Sequence, residues 1–173
     1  MAKTKWKAHP YADLFPMMTE GELEALAEDI RENGLRNPVV RYQDAILDGR
    51  NRLMACERAG VDPRFEDYVG SEEEAFALVE SLNVQRRDLT AGQRALVAAK
   101  VWLMNGDHKP GPKSSQSATI SLKTIAKRYK ASDNSIAQAR DLIREAPDLA
   151  AEVERGAPLS IMTIGGVGWH PAT

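Results

Sequence analysis

The chain has 173 residues, of which 43% are hydrophobic and 28% are charged, which is ordinary for a globular protein of one or two domains. Its single cysteine excludes an internal disulfide framework. No apolar run approaches the roughly 18 residues of a membrane helix. No such run follows the basic segment Met1–Lys7 either, so we expect no signal peptide and a cytoplasmic location.

The net charge of −2 conceals a division along the chain. Residues 1–90 carry 12 Lys and Arg against 18 Asp and Glu, whereas residues 91–173 carry 11 against 7. The most basic stretch, residues 94–144, carries 10 against 3. Such asymmetry is expected when one domain contacts nucleic-acid phosphates and the other does not. A solvated helical face would give the same counts, so charge alone leaves both interpretations open.

The first 90 residues alternate helix and strand signals, which predicts a small mixed sheet with helices packed on it. Two capping boxes, Thr19 with Glu22 and Ser71 with Glu74, mark helix starts. Gly34 is typical of a helix end. The predicted elements are a helix between Thr19 and Gly34, strands over 38–42 and 45–47, a helix over 50–59, a strand over 64–69 and a helix over 72–81.

From Thr90 onward the pattern indicates helices only. Thr90 with Gln93 forms a third capping box, which opens a helix through about Met104. Residues 106–117, rich in Gly, Pro, Lys and Ser, predict a mobile loop. Helices are predicted over 122–129, 133–145 and 148–155, followed by a poorly ordered tail. We therefore predict an α+β domain over 1–90, an all-α domain over 91–160 and a tail over 161–173.

A glycine stands between the predicted second strand and the next helix, at Gly49. Glycine allows a sharp turn and a close approach of ligand to backbone. The helix start offers unpaired N–H groups to an anion, and the guanidinium groups of Arg50 and Arg52 match phosphate oxygens. The turn is thus a candidate phosphate cradle. Two surface arginines paired with nearby acids would show the same pattern.

A second polar group precedes the Thr90 capping box and reads Asn83-Val84-Gln85-Arg86-Arg87-Asp88-Leu89. Its amides and arginines could complete an anion site. On spacing alone, a polar linker between domains is the better interpretation.

Three stretches in a fixed order favour the anion-binding interpretation of both patterns. They read Gly34-Leu35-x-x-Pro38-Val39-Val40, then Leu47-Asp48-Gly49-x-x-Arg52-x-x-Ala55-x-x-x-x-Gly60, then Asn83-x-Gln85-Arg86-x-Asp88-Leu89. This order resembles the ParB family, and the resemblance extends over about residues 10–145. It implies a ParB/sulfiredoxin-like first domain that binds CTP or a similar nucleotide with magnesium and closes as a clamp on DNA.

The resemblance also implies roles for individual residues. Gly49 and Arg52 would contact phosphates, with Arg50 beside them, and Asn83 and Arg86 would complete the nucleotide pocket. The implied partners are duplex DNA, a second copy of the chain in a homodimer, and a partition ATPase. Family members end in a dimerisation domain that we do not recognise after residue 160. We expect either a truncated chain or dimerisation through the first domain.

Two positions depart from the family pattern. Asn51 stands where an arginine is usual, and Leu82 stands where a metal-associated glutamate is usual. A hard cation needs oxygen ligands, so we expect little dependence on magnesium, no metal ligand, no catalytic residue and little or no hydrolysis. The sulfiredoxin branch carries a catalytic cysteine at the position of Arg50, and Cys56 lies within a predicted helix, which does not favour sulfiredoxin chemistry.

Residues 122–139 fit a helix-turn-helix. Ile125, Ala126, Tyr129 and Ile136 are spaced to form a shared seam, and Ser132 is a good N-cap for the second helix. Asn and Gln on that helix could read adenine, while basic and hydroxyl groups contact phosphates. A helical hairpin that only packs is the alternative. The predicted DNA contacts are Lys123, Lys127, Arg128, Ser132, Asn134, Ser135, Gln138 and Arg140.

The leading interpretation is a ParB-like protein that binds duplex DNA through the helix-turn-helix and a nucleotide in the first domain. It would act on plasmid or nucleoid DNA, in partition or transcription regulation. A nuclease or nucleotide hydrolase using the same pocket is the first alternative. The second is a plain transcription regulator whose first domain only mediates assembly.

Overall fold

The computed structural model describes residues 6–84, 89–105 and 121–159, and the backbone of residues 163–164 and 167–168. The chain divides into two compact units, Met1–Arg87 and Asp88–Thr173. The first unit combines helices with a mixed sheet, and the second is mainly helical. The predicted α+β class is confirmed. None of the described helices is long and apolar enough to cross a bilayer.

The first unit is built around a four-stranded sheet in the order β1-β3-β2-β4. Strands β2 and β3 form an antiparallel hairpin, whereas β1 and β4 add in parallel at its two sides. Gln43 and Asp44 close the hairpin, both with positive φ, as a tight two-residue turn requires. The elements are β1 (Lys7–Ala8), α1 (Pro10–Asp13), α2 (Glu20–Asn33), β2 (Val39–Tyr42), β3 (Ala45–Asp48), α3 (Arg50–Ala59), β4 (Phe65–Asp67) and α4 (Glu72–Val84).

Helix α3 is held from two sides, which fixes the position of its first turn. On one side Ala55 and Cys56 pack in a buried cluster with residues of α2, including Ala27. On the other side Leu53 packs with Val39 and Ile46 of the sheet. Because α3 follows β3 after a single residue, the helix start lies at the end of a central strand.

The second unit is arranged around α5, half of whose residues are buried and which packs against the three helices that follow. A Cβ on Gly92 would lie 3.0 Å from Val153 Cγ1, so this glycine permits the close approach of α8. The elements are α5 (Ala91–Met104), α6 (Leu122–Tyr129), α7 (Asp133–Glu145), α8 (Pro147–Glu154), β5 (Thr163–Ile164) and β6 (Val167–Gly168).

The helix boundaries predicted from the capping boxes are confirmed at Thr19 and Thr90, where both reciprocal bonds form. The sequence did not predict β1 and α1. It also predicted a poorly ordered tail, but Thr163–Ile164 pairs antiparallel with Val167–Gly168. The rest of the tail and the predicted loop over 106–117 lie outside the described residues.

Candidate functional site

The turn from β3 into α3 leaves the start of the helix open. Gly49 is the N-cap residue, with φ 95° and ψ 22°, and no side chain caps the helix. The first backbone hydrogen bond of the helix runs from Leu53 N to Gly49 O, at 2.9 Å. The N–H groups of Asn51 and Arg52 come before Leu53 and have no acceptor within the helix. They can therefore donate hydrogen bonds to an anion.

Arg52 is folded back against this turn. Its Nη2 donates to Asp48 Oδ2 at 2.8 Å and to the carbonyl oxygen of Pro38 at 3.0 Å. Its Nε is buried and has no partner among the described residues. Arg52 therefore ties the first turn of α3 to the ends of two strands, and its charge is paired with that of Asp48.

Arg50 is paired as well. It donates to Asp13 Oδ1, the last residue of α1, and to the carbonyl oxygen of Phe15 at 2.8 Å. Both arginines that the sequence offers as phosphate contacts thus lie at the turn, each with a carboxylate partner.

Two buried asparagines lie beside the arginines. Asn51 Oδ1 accepts from Met18 N at 3.1 Å, and Asn83 Nδ2 donates to the carbonyl oxygen of Val79 at 2.9 Å. These bonds fix the orientation of each amide. They leave the Nδ2 group of Asn51 and the Oδ1 atom of Asn83 for a ligand.

The two arginines and the two asparagines line one cavity of about 330 Å³ in the first unit, together with Gly49. The structure therefore brings together four of the five residues predicted for the nucleotide pocket, while Arg86 lies outside the described residues. Sequence reasoning missed the apolar wall and the burial of Asn51, since neither has a sequence signal. The lining residues are Ala12, Met18, Leu26, Asn37, Leu47, Asp48, Gly49, Arg50, Asn51, Arg52, Leu82 and Asn83.

The donor set does not fit a magnesium ion held by the protein. Asp48 is the only carboxylate among the described lining residues, and it is bound to Arg52. Leu82 adds no oxygen. The described residues contain no group of three or more His, Cys, Asp and Glu that could hold a metal.

Helix α1, which carries Asp13, is stabilised at its start by His9. The Nδ1 atom of His9 accepts from Tyr11 N at 3.3 Å, and burial lowers the pKa of this imidazole. The Tyr11 hydroxyl donates to Glu72 Oε1 at 2.8 Å. Burial and that carboxylate raise the pKa of Tyr11 to about 12. The position of Asp13 thus depends on a neutral histidine.

In the second unit, α6 and α7 are joined by three residues beginning with Lys130, which has φ 50°. Ile125, Tyr129 and Ile136 are buried, as predicted for the seam. Lys130 forms no ion pair with Asp133 at the start of α7. The exposed basic residues of α6 and the connection are Lys123, Lys127, Arg128 and Lys130.

The predicted contacts on α7 differ in their surroundings. Ser132 caps the helix in a reciprocal box with Ser135, so both hydroxyls already serve backbone groups. Asn134 is exposed, whereas Gln138 is half-buried. Arg140 donates to Asp141 Oδ1 at 2.9 Å. A second cavity, of about 550 Å³, lies beside this helix start and is lined by Thr90, Ala91, Gly92, Lys130, Ala131, Ser132, Ser135, Gln138, Gly156, Pro158 and Leu159.

Comparison with family models gave no match, and comparison with curated proteins gave none. Similar solved structures were found, among them the following two. One is the C-terminally truncated chromosome-partitioning protein ParB from Caulobacter crescentus complexed with CTP-gamma-S. It has 22% identity and a TM-score of 0.37, over 81% of this chain and 75% of that chain. The other is a Pnob8-like ParB-N domain, with 19% identity and a TM-score of 0.49, over 90% and 73%.

Proposed function

We propose that this chain is a ParB-type DNA-binding protein that holds duplex DNA against α6 and α7, in DNA partition or transcription regulation. One observation carries the proposal. Lys123, Lys127 and Lys130 are exposed on α6 and the connection after it, and none forms an ion pair with a described residue. Lysines without carboxylate partners are suited to phosphates, whose binding releases counterions.

The start of α7 suits the reading of bases. Asn134 is exposed in its first turn, and Gln138 lies one turn later on the same side. Both amides can bond adenine in the major groove. Asp141 lies a further turn along this side, bound to Arg140. The N-terminal half of α7 is therefore the part proposed to enter the groove.

A helical hairpin that only packs would have the same buried seam. It would not need exposed lysines without acidic partners on α6 and in the connection after it, followed by the exposed amide of Asn134. The basic surface thus favours DNA over a purely structural role.

We also propose that the cavity of the first unit binds a nucleotide, with cytidine as the nucleoside that the motif resemblance implies. The uncapped start of α3 and the buried amides of Asn51 and Asn83 support this. A nucleotide hydrolase or nuclease gains no support, because Asp48 is bound to Arg52. Homodimerisation, a partition ATPase partner and a location on plasmid or nucleoid DNA belong to the same proposal and rest on the motifs.

The DNA proposal is tested by fluorescence anisotropy of the full chain with labelled duplexes. The double variant Lys123→Ala, Lys127→Ala should bind at least about tenfold more weakly than wild type. The control Arg31→Ala, Arg36→Ala removes the same charge from exposed positions of the first unit and should stay within about twofold. Equal losses in both variants, or no duplex binding by wild type, would refute the assignment.

A further inference from the structure

We propose that Asp133 is a specificity-determining residue of the DNA interface and that it selects a cytosine in the major groove. This inference rests on the proposed DNA binding and deepens it, because it names a base of the preferred site. Asp133 is the first residue of α7, the helix proposed to enter the groove. The carrying observation is that its side chain is exposed there and forms no ion pair with a described residue.

Helix α7 buries one stripe of side chains and presents the opposite one. The buried residues are Ile136, Ala139 and Leu142. With about 3.6 residues per turn, the opposite stripe begins with Asp133, Asn134, Ala137 and Gln138. The N-terminal residues of a recognition helix are those that contact base edges. Asp133 therefore lies on the same face as the two amides proposed to read bases.

The carboxylate of Asp133 is not needed to cap the helix. Ser135 N donates to Ser132 Oγ at 3.1 Å, and Ser132 N donates to Ser135 Oγ at 3.0 Å. The helix dipole does favour an acidic residue in a first turn, which would be a purely structural reason for an aspartate here. Asp148 lies in the first turn of α8 and is also exposed, so it is the matched control for that structural role.

A negative charge on this face changes discrimination more than affinity. Lys123, Lys127 and Lys130 are exposed beside it and are proposed to attract phosphates. The carboxylate of Asp133 is repelled by the same phosphates, so it weakens binding to duplexes of any sequence. It recovers that loss only where a base offers a hydrogen-bond donor. A residue that penalises every site except one kind raises specificity.

Cytosine is the base that suits a carboxylate. An ionised carboxylate only accepts hydrogen bonds, and in the major groove the base donors are cytosine N4 and adenine N6. Adenine also presents the acceptor N7 on the same edge, which repels a carboxylate but suits an amide such as Asn134. Cytosine presents no acceptor there. Asp133 is therefore expected to select cytosine, and the amides adenine.

The test is selection of duplexes from a library of randomised sequence by the full chain, with sequencing of the bound and free fractions. We expect one position at which the wild type favours cytosine by at least about fivefold. Asp133→Ala should lose that preference, and it should bind random duplexes about two- to threefold more tightly, because a repulsive charge is gone. Asp148→Ala removes the same charge from α8 and should keep both the preference and the random affinity of the wild type.

A second variant separates base reading from helix stability. Asp133→Asn should move the preference at that position from cytosine to adenine, since an amide can accept from adenine N6 and donate to N7. Loss of helix stability alone would not exchange one base for another. Unchanged preferences in Asp133→Ala, or a loss at a position where the wild type favours another base, would overturn the inference and leave DNA binding standing. No binding of any duplex by the wild type would overturn both.

Discussion

Arg52 occupies the space that a side chain on Gly49 would need. A Cβ built on Gly49 would lie 2.8 Å from Arg52 Nη2, the atom that also binds Asp48 and Pro38. The glycine and the arginine of this motif therefore depend on each other. The turn leaves room for the guanidinium, and the guanidinium holds the turn against the sheet.

Gly49→Ala should destabilise the protein by about 1–3 kcal/mol, because φ of 95° is strained for alanine and the Cβ would collide with Arg52. Gly21→Ala is the matched control, since nothing lies within 4 Å of its Cβ position in α2. That change should stabilise by up to about 1 kcal/mol. Urea unfolding measures both, and equal midpoints for the two variants would contradict the account of the turn.

Two replacements of Asn51 should test its two roles, the hydrogen bond from Met18 N and the contact with an anion. Asn51→Ala leaves Met18 N without its acceptor and should cost about 1–3 kcal/mol in unfolding free energy. Asn51→Asp keeps the acceptor for Met18 N but places a carboxylate at a buried position, so its unfolding free energy should fall as well, through desolvation of the charge. Its carboxylate, however, lies where the anion would bind, and nucleotide affinity should be lost. Unchanged nucleotide binding by Asn51→Asp in calorimetry would show that the anion binds elsewhere.

Stability should depend on the protonation of His9. Burial lowers its folded pKa below 6.5, partly opposed by Glu72 and Asp13, so the unfolded chain binds the proton more readily. The contribution of His9 is therefore complete above pH 6.5 and is lost as the pH falls through the folded pKa. His9→Asn keeps an N-cap acceptor. Compared at about pH 7.5 and about pH 5.5, its urea midpoint should change less than that of wild type, and an equal change would contradict the role of His9.

Asn134→Ala and Gln138→Ala should each cost about 1–3 kcal/mol on the preferred DNA site and relax the choice of base there. Lys127→Ala is the contrasting variant, since loss of a phosphate contact should weaken binding to all duplexes alike. Competition between preferred and random duplexes measures the difference. If the amide variants lose the same affinity on both duplexes, these side chains do not read bases.

The sequence predicted most of the fold because its signals are local. Thr19 with Glu22 and Thr90 with Gln93 are three residues apart, and each pair marks a helix start. Strand β1 has only two residues and pairs with β3, far along the chain, so no local pattern indicates it. The sequence did not predict the capping box of Ser132 with Ser135, because the residue three positions after the N-cap is usually Glu or Gln.

The sequence predicted which residues lie at the candidate site, but it did not predict their ion-pair and hydrogen-bond partners. The motif placed Gly49 and Arg52 at one turn, and the structure agrees. The carboxylate partner of Arg50 is Asp13, which the chain brings there only through α1. The sequence suggested that Asn51 merely removes a positive charge, whereas it binds Met18 N and lines the cavity. Such roles depend on long-range packing.

The central claim, DNA binding by the basic surface of α6 and α7, is tested most directly by the salt dependence of duplex affinity. The logarithm of the association constant of the full wild-type chain should fall linearly with the logarithm of salt concentration. For Lys123→Ala, Lys127→Ala the slope should be smaller in magnitude by about 0.9 for each phosphate contact removed. Affinity that does not change with salt, or the same slope for wild type and variant, would contradict the claim.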